Sequence, residues 1–106
     1  MGFEHFIAME LRAYLSYFRK KLPLCFWRTS DGHEVDFVIG DQIAIEVKST
    51  DKISSKHLKG LRYLMEENKL KQYYMVSQDS IARKEEGIYI FPWEDFLKRL
   101  WNEEII

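Results

Sequence analysis

The chain has 106 residues with 46% apolar and 31% charged side chains and a formal net charge of −1. These values fit one compact folded domain and exclude a disordered or collagen-like chain. The near-neutral charge gives no global basic footprint of the kind that a high-affinity, non-specific nucleic-acid binder uses to neutralise phosphates.

The single cysteine, Cys25, leaves no partner for an internal disulfide and fits a reducing, cytoplasmic setting. Its neighbours Leu24, Phe26 and Trp27 suggest a buried thiol. No apolar run approaches the roughly 20 residues of a membrane span. Charges from Glu4 onward argue against a signal peptide.

Residues 3–22 place Phe3, Ile7, Leu11, Tyr14, Leu15, Phe18 and Leu22 at helical spacing, and Pro23 is expected to end that helix. Residues 24–29, LCFWRT, read as a strand, followed by a turn at Asp31-Gly32. Residues 33–50, HEVDFVIGDQIAIEVKST, read as a hairpin turning at Gly40-Asp41-Gln42. A second helix is expected from Ser54 or Ser55 to about Asn68, with Leu58, Leu61, Leu64 and Met65 buried. QYYMVS (72–77) and GIYIF (87–91) read as strands, and Pro92 opens a last helix. A helical crossover makes the strands around it parallel, so the expected product is an α/β domain with one mixed sheet flanked by helices.

With that turn, hairpin residues whose numbers sum to 82 pair. Val35, Phe37, Ile39, Ile43, Ile45 and Val47 then share one face, because side chains alternate with period two. The other face pairs Glu34 with Lys48, Asp36 with Glu46 and Val38 with Ala44. Asp36 opposite Glu46 is a conflict. Like charges directly across a sheet destabilise it, and carboxylate oxygens ~4 Å apart at an effective dielectric near ~20 repel by about 4 kcal/mol. A proton, a neighbouring cation or a metal ion could relieve this. A divalent ion suits best, since Mg²⁺ accepts one or two carboxylates and fills its octahedron with water. Lys48, two residues beyond Glu46, could hold a water or stabilise charge on a phosphate. The competing reading is an ordinary solvated strand face.

Asp36 and Glu46-Val47-Lys48, following a helix with an early glutamate and preceding a crossover helix, make the chain resemble the PD-(D/E)XK nuclease superfamily. That resemblance implies a restriction-endonuclease-like core: helix, three-stranded meander, helix, strand. Val35 stands where the family has its optional proline. More narrowly, GFEHFIAMEL, FWRTSDGHEVDFVI, IAIEVKST and LKGLRYL are similar to a domain of unknown function found at the C-terminal end of many bacterial and archaeal AAA+-type ATPases. The likeness covers almost the whole chain.

The resemblance implies Mg²⁺, with Mn²⁺ as substitute, held by Asp36, Glu46 and the Val47 backbone carbonyl, with Glu4 reaching it directly or through water. Asp36, Glu46 and Lys48 would be catalytic. Lys48 would orient or deprotonate the attacking water, and cleavage would leave a 5′-phosphate. The implied partners are DNA, including branched DNA, an ATPase domain in a longer protein, and a second copy in a homodimer. A second reading from another class is a nuclease-like fold kept as a regulatory or docking module for an ATPase, with little or no cleavage.

Lys52, Lys56, Lys59 and Arg62 are candidates for a DNA backbone, against the alternative of a solvated helix face. Glu10 is the alternative to Glu4. His33 and His5 read as structural or surface residues, and Trp27 and Trp101 as core or dimer contacts rather than base platforms.

Overall fold

The computed structural model describes residues 2–106. Helix α1 (Phe3–Tyr17) leads into strands β1 (Leu24–Arg28), β2 (Glu34–Ile39) and β3 (Ile43–Val47). A 3₁₀ turn (Ser55–Leu58) runs into α2 (Lys59–Glu67), and β4 (Gln72–Ser77), β5 (Arg83–Glu85), β6 (Ile88–Pro92) and α3 (Trp93–Trp101) complete the chain. The sheet order is β1-β2-β3-β4-β6-β5. The first three strands are antiparallel neighbours, β3, β4 and β6 run parallel, and β5 returns antiparallel along the far edge.

This is a mixed α/β fold. On one side of the sheet, Ile7, Leu11 and Tyr14 of α1 and Phe96 and Leu100 of α3 pack against Ile39, Ile43, Ile45, Val47, Tyr74 and Val76. On the other, Leu58, Leu61 and Leu64 pack against Val35, Ala44, Tyr73, Met75, Ile88 and Ile90. All five residues of β3 are buried because both of its faces are covered, as in the centre of a parallel sheet.

Outside the hairpin, the fold departs from the sequence expectations in four places. First, α1 ends five residues early. Arg19 adopts a left-handed backbone (φ 53°), the Lys20 amide donates to the Leu15 carbonyl at 2.9 Å, and the Arg19 amide donates to Ser16 at 3.1 Å. That pair of bonds is a Schellman stop, built here on arginine instead of glycine. Second, the crossover helix begins as a 3₁₀ turn. Third, β5 is an additional strand; its sequence Arg-Lys-Glu has no apolar alternation, as befits a charged edge. Fourth, Cys25 is exposed on the edge strand β1, not buried.

Gly60 fixes how closely α2 sits on β2. A Cβ built there would lie 2.4 Å from the backbone carbonyl oxygen of Glu34. Alanine is the better helix former by about 1 kcal/mol, yet here the extra methyl must push the helix off the strand. Gly60→Ala should therefore lower stability, by about 1 kcal/mol once the overpacking cost of about 2 kcal/mol is set against the propensity gain. Chemical denaturation would show this as a lower midpoint.

Candidate active site at the split between two strands

The hairpin register is as the sequence expects near its turn: Ile39 opposite Ile43, Val38 opposite Ala44 and Phe37 opposite Ile45. Gly40 supplies the positive φ of 56° that the turn needs. Beyond Phe37 the strands part, and the expected pairs Asp36–Glu46, Val35–Val47 and Glu34–Lys48 do not form. The cause lies in β1. Cys25 pairs with Val38 but Trp27 pairs with Val35, so Asp36 and Phe37 together oppose Phe26. This is a β-bulge, which puts an extra residue into one strand and resets its alternation. Val35 consequently faces the α2 layer, whereas Val47 remains with α1 and α3. Glu34 pairs instead with Arg28, Oε2 to Nε at 3.5 Å.

In the gap so opened, side chains take over the ladder. The Val47 amide donates to Asp36 Oδ2 at 2.8 Å, and the Asp36 amide donates to Glu46 Oε1 at 3.0 Å. These reciprocal bonds bring the two carboxylates into contact. They meet through the opening, not as facing neighbours on a flat sheet surface. Asp36 lines a crevice with Glu4, Phe26 and Arg28, while Glu46 lines a second cleft with Lys48. Lys48 Nζ lies 3.7 Å from Glu46 Oε2. The Lys48 amide donates to the Val76 carbonyl in β4 at 3.0 Å. Polar groups alternate in direction along a strand, so the Val47 amide and carbonyl point the other way, into the gap.

The electrostatics record the crowding. Burial, then the Glu46 carboxylate beside it, pushes the Asp36 carboxyl up to about 7, although the Val47 amide works against the shift. Glu4, on the first turn of α1, is raised as well, chiefly because its carboxyl hydrogen-bonds Asp36. Glu4, Asp36 and Glu46 thus form a chain of three acids linked through Asp36. Among the described residues no three such side chains converge on one point as a ready-made metal cage. The donor set instead offers two carboxylates in contact and a strand carbonyl, all hard oxygens. That suits an ion content with one or two protein carboxylates.

A family model covers residues 1–96 of the chain. The chain belongs to the family described as Domain of unknown function (DUF4143). No curated protein and no solved structure matches it.

The other candidate residues of this DUF4143 domain divide clearly. Lys56 and Lys59 line the cleft of about 530 Å³ that holds Glu46 and Lys48, together with His33 and His57. Lys52 is exposed but is not among the residues that line it. Arg62 is engaged elsewhere, donating to Glu86 at 2.6 Å and to Ser55. His33 stacks on Tyr63 with ring centroids 3.9 Å apart, which fits a structural role. Glu10 accepts the Trp101 indole N–H at 3.0 Å, far from the acid cluster in its contacts, so Glu4 is the α1 acid at the site. Trp27 and Trp101 pack into the two cores, and His5 is exposed.

Two residues carry weight that the sequence did not signal. Asp79, buried, accepts the Ile53 amide at 2.9 Å and Arg83 at 3.1 Å, and Arg83 also donates to the Ile53 carbonyl. Backbone donors hold the Asp79 carboxyl below its ordinary range. This clamp ties down the loop that follows Lys48. The second is Phe26, which lies bare beside the acids.

Proposed function

We propose that this domain is a metal-dependent phosphodiesterase acting on DNA. One observation carries the reading: at a bulge-induced split between β2 and β3, Asp36 and Glu46 are held carboxylate to carboxylate, with Lys48 against Glu46 and Glu4 against Asp36. When both are ionised the two carboxylates repel, and a bound cation would offset that cost. The resemblance to PD-(D/E)XK nucleases in Asp36 and Glu46-Val47-Lys48 supports the same reading.

Asp36, Glu46 and the Val47 carbonyl would hold Mg²⁺ or Mn²⁺, with Glu4 reaching it through Asp36 or a water. Bound there, the ion would acidify water and offset phosphate charge. Lys48 is partly exposed and hydrogen-bond-competent toward the cleft, so its role is to orient the attacking water and stabilise charge on the phosphate. Lys56 and Lys59, on the same cleft, would hold the backbone, while Lys52 lies at most on its approach. The deciding experiment incubates the protein with single-stranded, duplex and branched DNA over a range of Mg²⁺ and Mn²⁺. Cleavage that requires the ion and stops with chelator is expected. No cleavage of any of these by either ion overturns the reading and leaves a docking module for an ATPase, which the net charge of −1 also suits.

A further inference from the structure

We propose that Phe26, backed by Arg28, is a stacking platform for an unpaired base next to the acid cluster, so that the preferred substrate is single-stranded or branched nucleic acid rather than continuous duplex. The inference rests on the phosphodiesterase reading and adds a substrate class to it. Isolated exposed apolar side chains are common on protein surfaces and need no explanation. Phe26 differs in three ways.

It is 68% exposed on the edge strand β1 and lines the crevice of about 290 Å³ that contains Glu4 and Asp36. Met9, Tyr17 and Ile81, the other exposed large apolar residues, do not line it. Next, the guanidinium of Arg28 lies over the Phe26 ring, 5.5 Å from its centroid, and Arg28 is itself held by Glu34. With the guanidinium over one face, the ring keeps its other face for a base, and the same cation lies within reach of that nucleotide's phosphate. Finally, Phe26 is the β1 residue opposite the bulge that opens the strands. One irregularity therefore sets both the acids and the ring, and bulges re-aim side chains at sites of this kind.

A platform on one side of the acids and the Lys48–Lys56–Lys59 cleft on the other would let a strand cross the split, with its phosphate at the carboxylates and a neighbouring base on Phe26. A base still paired within a duplex has no free face to offer. Stacking on one aromatic is sequence-tolerant, so the platform selects unpaired structure and not sequence.

The test uses the full chain, with Phe26→Ala and Phe26→Trp variants checked for unchanged circular dichroism. Binding is read by anisotropy of labelled single-stranded and duplex DNA in Ca²⁺, and cleavage is read in Mg²⁺ or Mn²⁺. Phe26→Ala should weaken single-strand binding and raise its KM roughly tenfold, as expected for one lost base stack, while duplex binding is unchanged. Phe26→Trp should restore the wild-type values. If Phe26→Ala binds single strands as the wild type does while both still cleave, the platform is wrong and the phosphodiesterase reading stands. If the variant instead converts a dimer to a monomer without changing strand preference, Phe26 covers a second copy and the platform is likewise wrong. A wild-type protein that neither binds nor cleaves any of these substrates overturns both.

Discussion

Asp36→Asn should make the metal-free protein more stable at neutral and alkaline pH, and abolish ion binding and cleavage. Folding holds the Asp36 carboxyl at about 7 from an ordinary 3.8. Below about pH 4 both the folded and the unfolded chain carry the proton, so the contribution is then fully present. Between about pH 4 and about 7 the unfolded chain has lost a proton that the folded chain still holds, so stability falls across that window and levels off above it. At about 1.4 kcal/mol per unit the shift corresponds to about 4 kcal/mol; partial solvent exposure reduces this to about 2 kcal/mol. Asparagine keeps an oxygen for the Val47 amide and offers Glu46 an N–H in place of the repelling carboxylate. For a chain of this size the gain should appear as roughly 10 °C in melting temperature at pH 8 in chelator. It should shrink toward zero near pH 4. A variant that melts at or below the wild-type temperature at pH 8 would mean that the acids are compensated within the protein, without an ion.

Lys48→Ala should reduce cleavage at least 100-fold, the scale of losing a positioned proton-transfer or charge-stabilising group. Its effect on stability should be small. The Lys48 side chain is 42% exposed, so solvent screens its pair with the buried Glu46 and holds the loss to about 1 kcal/mol. Lys48→Arg separates the two roles a lysine could play. Arginine keeps the charge but cannot give up its proton, and its fork has a different reach. Partial activity in Lys48→Arg supports positioning and charge stabilisation, whereas complete loss in a folded variant points to proton transfer by lysine. Initial rates at saturating ion, with circular dichroism as control, decide between them. Unchanged rates in Lys48→Ala would remove lysine from the chemistry.

Much of the fold was legible because its signals are local. Gly40-Asp41-Gln42 sets the turn, and the alternating aliphatics on either side of it set the register from Phe37 to Ile45. That Asp36 and Glu46 come close was legible too, but not the way they do so: they meet through reciprocal side-chain bonds in the split and not as paired neighbours. What escaped depends on neighbours that are distant in sequence. The bulge at Asp36–Phe37 arises against Phe26 of β1, and no spacing within the hairpin announces it. Pro23 suggested a helix end five residues beyond the actual stop, where arginine occupies a backbone conformation usually left to glycine. LCFWRT reads as a strand with a buried thiol, yet its edge position leaves Cys25 and Phe26 in solvent. Arg62 looked like a free cation for DNA because Glu86, its partner, lies on a separate turn.

Whether the acid cluster is a cation site is decided by calorimetric titration of Mn²⁺ into the wild type and Asp36→Asn at pH 6.5, repeated in two buffers of different ionisation enthalpy. Wild-type protein should bind with release of a proton from the Glu4–Asp36–Glu46 chain, and Asp36→Asn should not bind. Equal binding by both proteins, or heats from neither, would contradict this.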